Sequence, residues 1–254
     1  MGVHDGEARD ASAAGMADRA RPRRIVLNID LGELPEEPEA LYGYADLANV
    51  ACGGHVGDDT TMRRALASCL RHGTQAGAHP SYPDRAGFGR RRVSMDAAEL
   101  RASVSEQCAR LARLGAEMGV TVRFVKAHGA LYHAASEDGV TAAALVDGAV
   151  DALGPGITFL GPQAGELRAA VERAGLAFLR EGFADRVTRQ DGTLVSRGEA
   201  GALRLDPLAA ATYTGAVAAR GEVETLCVHG DSPGAVAIAR AVREALDARP
   251  SEQG

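Results

Sequence analysis

Seven short apolar runs recur along the chain, and each ends in polar residues. They are Ile25–Asp30, Asp46–Cys52, Thr74–Ala78, Val122–Lys126, Ile157–Leu160, Ala177–Glu181 and Val223–Val228. Their length and the turn residues that bound them predict strands. The segments between them carry apolar residues at helical spacing. Met62, Leu66 and Leu70 share one face of a helix predicted from Asp59 or Thr60, either of which can cap it, to about His72. Leu100, Val104, Cys108, Leu111 and Leu114 mark a long helix starting at Ser94. Further helices are predicted at Glu137–Leu153, Glu166–Ala174 and Leu208–Ala219. A last helix is expected to be capped by Ser232, with Pro233 in its first turn, where a missing N–H costs nothing. Leu34–Glu39 and Ser81–Arg92 read as loops, as does the segment holding His133. After Arg186 comes a longer excursion with a Gln190-Asp191-Gly192 turn and a short hairpin through Thr193–Val195.

Strands alternating with helices imply a parallel sheet. An open doubly wound sheet collects ligand groups at one switch point, whereas a barrel brings every strand end to one mouth. Here polar groups follow nearly all the strands: Asp30, His55, His79, Lys126 with His128, Glu181 with Asp185, and His229 with Asp231. That distribution predicts an α/β fold, a seven-stranded parallel (β/α) barrel forming a single catalytic domain over residues 23–248. Residues 1–22 are rich in Ala, Arg, Asp and Gly without an apolar stretch. They are expected to be a disordered N-terminal tail and not a signal peptide, with Met16 as an alternative start. Residues 249–254 are expected to be a C-terminal tail.

Composition narrows the class. At 46 % hydrophobic residues there is ample material for a core, but with 4 % aromatics and no Trp it must be built from Ala, Val, Leu and Ile. The formal charge of -6 argues against a nucleic-acid binder. The basic run Arg90-Arg91-Arg92 reads as a solvated face or a local anion contact. Cys52, Cys69, Cys108 and Cys227 show neither a zinc-knuckle nor a disulfide spacing and fit a reducing, cytoplasmic setting. No apolar run reaches the length of a membrane span.

Lysine usage singles out one position. Lys126 is the only lysine among 28 Lys and Arg residues, and it ends a strand beside His128. A compact, movable, titratable ammonium does what a planar guanidinium cannot. The bland alternative is a compositional remnant. His55, His79, His128 and His229 all follow strands. One such histidine is commonly structural; four at one mouth point to chemistry. Asp30, His55 and His79 come from three consecutive strand ends and could converge as an Asp-His-His set for a divalent metal. In the metal-free alternative the same groups bind substrate and shuttle protons. Glu33 and Asp231 are candidate general bases, or merely capping or solvated acids. Asp185-Arg186 is either a local ion pair, or a pair whose Arg186 holds a substrate carboxylate. The phosphate-binding G-x-x-x-x-G-K-[ST] and the G-x-S-x-G elbow are both absent.

Seven blocks carry a resemblance. Asn28-Ile29-Asp30-Leu31-Gly32-Glu33, Asn49-Val50-Ala51-Cys52-Gly53-Gly54-His55, Gly77-Ala78-His79-Pro80-Ser81-Tyr82-Pro83-Asp84, Gly87-Phe88-Gly89-Arg90-Arg91, Lys126-Ala127-His128-Gly129-Ala130-Leu131-Tyr132, Phe183-Ala184-Asp185-Arg186 and Cys227-Val228-His229-Gly230-Asp231 resemble, in order, the LamB/YcsF family, also known as the A subunits of 5-oxoprolinase. The resemblance implies a seven-stranded barrel similar to the glycoside hydrolase/deacetylase superfamily. It implies ATP-dependent opening of 5-oxoproline to glutamate, with ATP handled together with partner B and C subunits of 5-oxoprolinase, and it supports Asp30, His55 and His79 as a metal-type triad. Within the matched blocks Lys126, His128, Glu33, Asp185, His229 and Asp231 are expected to be catalytic, and Asn28, Asn49 and Arg186 substrate-binding.

The sequence departs from the family pattern at Gly54, Val56, Ala127 and Thr188, and in the acidic loop after Glu33. These positions line the expected mouth, so a related lactam or cyclic amide is an alternative substrate. Two rival functions stand beside the first: a stand-alone metal-dependent deacetylase or amide hydrolase, and a non-catalytic subunit that binds a small carboxylate. A homo-oligomer is compatible with all three.

Overall fold

The side-chain alternation of the seven strands decides what the molecule encloses. The computed structural model describes residues 24–189 and 194–248. Its strands are β1 (Val26–Leu31), β2 (Leu47–Ala51), β3 (Gln75–His79), β4 (Val122–Lys126), β5 (Thr158–Gly161), β6 (Ala177–Phe183) and β7 (Thr225–His229). All pair in parallel in sequence order, and β1 closes on β7 with Asp30 opposite His229. The expected tails, and the turn of the expected hairpin at 190–193, lie outside the described residues. Antiparallel bridges join Arg186 to Leu203 and Thr188 to Leu194 on either side of that turn.

Alternate strand residues point inward and form layers. Val26, Leu47, Phe124, Leu160 and Leu179 make a small apolar cluster separate from the main core. It plugs the bottom of the barrel. Gly77 makes this possible: a side chain there would run into the Phe124 ring. Two residues further along the strands the inward positions turn polar, with Asn28, Asn49, Glu181 and Thr225. Above them lie Asp30, His79, Lys126, Cys227 and His229. The opposite strand faces, Leu27, Ile29, Val50, Ala78, Val125, Phe159 and Val228 among them, pack under the helices in the main core.

The helices are α1 (Ala40–Tyr44), α2 (Asp59–His72), α3 (Ala97–Glu117), α4 (Gly129–Glu137), α5 (Gly139–Leu153), α6 (Glu166–Arg173), α7 (Pro207–Arg220) and α8 (Ala235–Asp247). Four expectations need correction. α2 is capped by Asp58, which forms a reciprocal box with Thr61. α3 starts at Ala97, three residues later than expected, because Asp96 and Glu99 form the same box. The segment with His133 is no loop but α4. Asp138, in extended conformation (φ -127, ψ 121), breaks α4 from α5 and caps the latter through Thr141 N. Ser232 does not cap α8, which begins after Gly234 in the left-handed region; its hydroxyl donates to Asp185 instead.

Candidate active site

Closure of the barrel buries a row of charges below the mouth. Lys126 Nζ lies 2.9 Å from Asp30 Oδ1, 3.1 Å from Glu181 Oε1 and 2.9 Å from Cys227 Sγ. Asn28 accepts from Lys126 and from Asn49, and donates to Glu181 and Thr225. Asn49 also donates to Asp30 Oδ1 at 2.7 Å. The lone lysine is therefore a buried cation between two carboxylates. Burial disfavours its charge, but Asp30, Cys227 and Glu181 outweigh that and raise its pKa well above the usual lysine value. So held, the ammonium is a fixed positive charge. Asn28 and Asn49 are fully buried in this network. They hold Asp30 and Lys126 in place and do not line the cavity. Glu181, left out of the sequence-derived site, is the second carboxylate. Its position two residues before Phe183 on an inward-facing strand was the available signal.

The four strand-end histidines divide into two groups. His55, His79 and His128 gather around Glu33. Glu33 Oε1 lies 2.9 Å from His55 Nε2, 3.3 Å from His128 Nδ1 and 3.7 Å from His79 Nε2. The rings of His55 and His128 stack at 3.7 Å. Burial alone would raise the pKa of Glu33, but its contacts with the His128 and His55 imidazoles hold it far below the carboxylate range. Burial also brings His55 down to about 4, so it is neutral at pH 7. Two glycines admit this packing. A Cβ on Gly89 would lie 2.8 Å from His55 and 2.9 Å from His128, and one on Gly129 (φ 56) would lie 2.5 Å from Gly89 O. Glu37, from the acidic loop, steadies Glu33 by accepting from the backbone N–H of Gly32 and Glu33. Among the described residues, Glu33, His55, His79 and His128 form one group that could hold a metal ion, and Asp30, Cys227 and His229 another. The expected Asp30-His55-His79 set is thus split, since Asp30 Oδ1 is already bound by Lys126 and Asn49. Asp30 keeps one link to the first group, with Oδ2 3.4 Å from His79 Nε2.

His229 belongs to a different arrangement. Its Nδ1 is 3.0 Å from Asp185 Oδ1, and Nε2 faces Asp30 Oδ2 at 3.8 Å. Asp185 also accepts from the His229 backbone N–H and from Ser232. Burial would lower the pKa of His229, but Asp185 and then Asp30 raise it. The expected Asp185-Arg186 ion pair does not form. Arg186 donates one N–H to Val195 O, its Nε has no partner, and it makes no salt bridge among the described residues. Asp231, expected as a base, is held by Arg90 and Arg197, each at 2.6 Å. Double pairing with guanidinium groups makes it a rim anchor. Arg91 and Arg92 pair with Asp84 and Glu137, so the basic run is a set of local ion pairs.

A cavity of about 500 Å³ opens over both groups. Asp30, His79, Lys126, His128, His229 and Arg186 line it, with Arg90, Arg197, Tyr132 and Phe183 on the walls. Phe183 stacks parallel to His229 and edge-on to Tyr132. The Tyr132 hydroxyl and Glu181 Oε2 are buried without a partner among the described residues. Sequence reasoning missed Tyr132, Arg90 and Arg197 as lining residues, although all but Arg197 fall in or beside motif blocks.

A closed seven-stranded (β/α) barrel with a mouth built of imidazoles, carboxylates and one guanidinium free of ion pairs among the described residues defines a class of small-molecule site. The sequence model of the LamB/YcsF family matches residues 25–253, and the chain belongs to that family. Among curated relatives, the first of the 5-oxoprolinase A subunits of Agrobacterium fabrum is 39 % identical over 241 residues, covering 88 % of this chain and 94 % of that protein. The 5-oxoprolinase A subunit of Mycobacterium avium is 43 % identical, covering 88 % and 95 %. The crystal structure of a lactam utilization protein from Thermus thermophilus superposes with a TM-score of 0.82 at 32 % identity, covering 88 % of this chain and 96 % of that one. No helix among the described residues is long and apolar enough to cross a membrane.

Proposed function

We infer that this chain is the subunit of a 5-oxoprolinase-like hydrolase in whose mouth the lactam ring is opened to glutamate. The observation that carries the reading is that an Asp185-backed His229 and Arg186, which makes no ion pair among the described residues, face one cavity. A small cyclic amide bearing a carboxylate needs both kinds of group. The names of the relatives support the same substrate class.

The roles follow from the geometry. Arg186, free of ion pairs among the described residues, offers its guanidinium to the substrate carboxylate, with bidentate geometry that lysine cannot copy. Asp185 accepts from Nδ1 of His229, which fixes the tautomer and leaves Nε2 free on the cavity side. That is the orienting relation of an Asp-His couple. Nε2 takes a proton from the attacking water and returns it to the ring nitrogen as the C–N bond breaks. Lys126, permanently charged below, stabilises negative charge on the amide oxygen without itself moving a proton. A divalent ion in the imidazole cluster would supply Lewis-acid polarisation of that oxygen.

An unactivated lactam opens reluctantly in water, which makes coupling to ATP chemically sensible. The chain has no Gly-Lys phosphate loop of its own, and its relatives are called subunits. The reading is therefore that ATP enters through companion B and C subunits. The test is glutamate formation from 5-oxoproline by the purified chain, alone and with companion subunits, with and without ATP. Turnover is expected only in the complete mixture. Turnover by the isolated chain without ATP would replace this reading with that of a stand-alone metal-dependent amide hydrolase, for which the Glu33 cluster is the specific argument. Tight binding without turnover in any mixture would leave only a carboxylate-binding subunit.

A further inference from the structure

Counting the protons in the Glu33 cluster shows that its inner edge is incomplete. His79 Nδ1 lies 2.7 Å from the carbonyl oxygen of Lys126, and His128 Nε2 lies 2.9 Å from that of Phe88. A carbonyl only accepts, so both outer nitrogens carry their ring proton. The inner nitrogens, His79 Nε2 and His128 Nδ1, then present lone pairs to each other at 3.0 Å. Two lone pairs at that separation repel. Either an extra proton or a cation must lie between them. His55 adds Nε2, 2.9 Å from Glu33, on the same side, and its Nδ1 has no partner among the described residues. Among the described residues, Glu33 supplies the only carboxylate oxygen within 3.7 Å of all three rings.

The spacing favours the cation. Four donors about 2 Å from one ion at tetrahedral angles lie about 3.3 Å from one another. Four of the six donor separations are 2.9, 3.0, 3.3 and 3.7 Å, and the His55 ring, stacked parallel on His128, must turn to direct its lone pair at the same ion. A backbone carbonyl on the outer nitrogen of a histidine is also the usual support of a metal-ligating ring. Three imidazoles and one carboxylate suit zinc and its first-row neighbours rather than magnesium or calcium, which take oxygen ligands.

The second group, Asp30, Cys227 and His229, is already satisfied. Lys126 Nζ sits 2.9 Å from both Asp30 Oδ1 and Cys227 Sγ. An ammonium thus fills the place a metal would take there, and its charge opposes a second cation beside Asp30.

We propose that this chain binds one zinc-class divalent ion through Glu33, His55, His79 and His128, with Asp30 outside the ligand set. The ion would sit in the mouth assigned above to lactam opening. Its uptake is read without substrate, however, so the two readings can fail separately.

The experiment strips the full chain with a chelator and titrates it with Zn²⁺, following metal content by mass spectrometry and thermal melting. One zinc per chain is expected, with a rise in melting temperature. His128→Ala and Glu33→Gln should each weaken uptake at least tenfold, and Asp30→Asn should leave it within a few-fold. Zinc-edge X-ray absorption on the wild-type chain should report three imidazole ligands, and it stands even where a variant misfolds. Absence of stoichiometric uptake would overturn the proposal. So would uptake lost in Asp30→Asn and kept in His128→Ala, or an absorption spectrum with fewer than three imidazoles.

Discussion

The space between Asp30, Glu181 and Cys227 admits a compact ammonium, 2 % exposed, and no planar guanidinium. That is why the one lysine of the chain stands at position 126. Lys126→Met should leave two buried carboxylates without a counter-charge. Breaking a buried pair from one side costs about 3–5 kcal/mol, so melting should fall on the order of 10 °C for a chain of this size. Lys126→Met combined with Glu181→Gln should recover part of that loss. Calorimetry on the three proteins decides it, and an unchanged melting temperature in the single variant would show that the charge network carries no stability.

His229 gives a pH prediction at the same scale. Asp185 and Asp30 raise its pKa against burial, which keeps the imidazolium populated to higher pH. His229 must be neutral to take the proton from the attacking water, so activity should rise as pH rises through the folded-state pKa. Asp185→Asn removes the main raising influence. The acidic limb of kcat/KM should move to lower pH, and the His229 ring titration, followed by NMR, should move with it. A limb that stays in place or moves upward would exclude His229 as the proton carrier. Arg186→Met should raise KM for 5-oxoproline with little change in kcat, since the carboxylate is bound equally in ground and transition states. A fall in kcat at constant KM would assign Arg186 a different task.

At the scale of elements, the strands were legible because each is a short apolar run closed by polar residues, and β4 fell on its expected bounds. α4 was not legible. Its Ala-Leu-Tyr-His-Ala-Ala sequence has no polar cap, and His128 makes no side-chain cap bond. The helix starts where it does because Gly129, with φ 56, turns tightly against the carbonyl of Gly89. Gly129→Ala should push the Phe88–Gly89 turn off His128 and disturb the imidazole cluster. A left-handed non-glycine residue with a backbone clash costs about 1–3 kcal/mol, or several degrees of melting. Gly156→Ala has open space and is the control. Equal melting of the two variants would show that this turn is not under constraint.

At the scale of the whole molecule, the set of strand-end polar residues was legible but their grouping was not. Which histidines meet depends on barrel closure and on the loops that lean inward, and neither is written in local spacing. Asp30 and His55 sit in matching blocks, one near the end of β1 and the other just after β2. Yet Lys126, from across the barrel, claims the first, and Glu33, from the loop after β1, claims the second. Glu181 went unassigned because its partner Lys126 lies on another strand far back in the chain, and only closure brings them together. Legibility ended where residues far apart in sequence compete for the same partner.

If the ring opens in the mouth of this barrel, the chemistry must depend on His229. The most direct measurement is the rate of glutamate formation from 5-oxoproline by the complete assembly with ATP, rebuilt with the His229→Gln chain, alongside its melting temperature. Loss of a general acid–base group lowers a rate on the order of a hundredfold or more. That drop is predicted, with melting essentially unchanged. Glutamate formed at the wild-type rate by the folded variant would contradict it and place the chemistry elsewhere in the assembly.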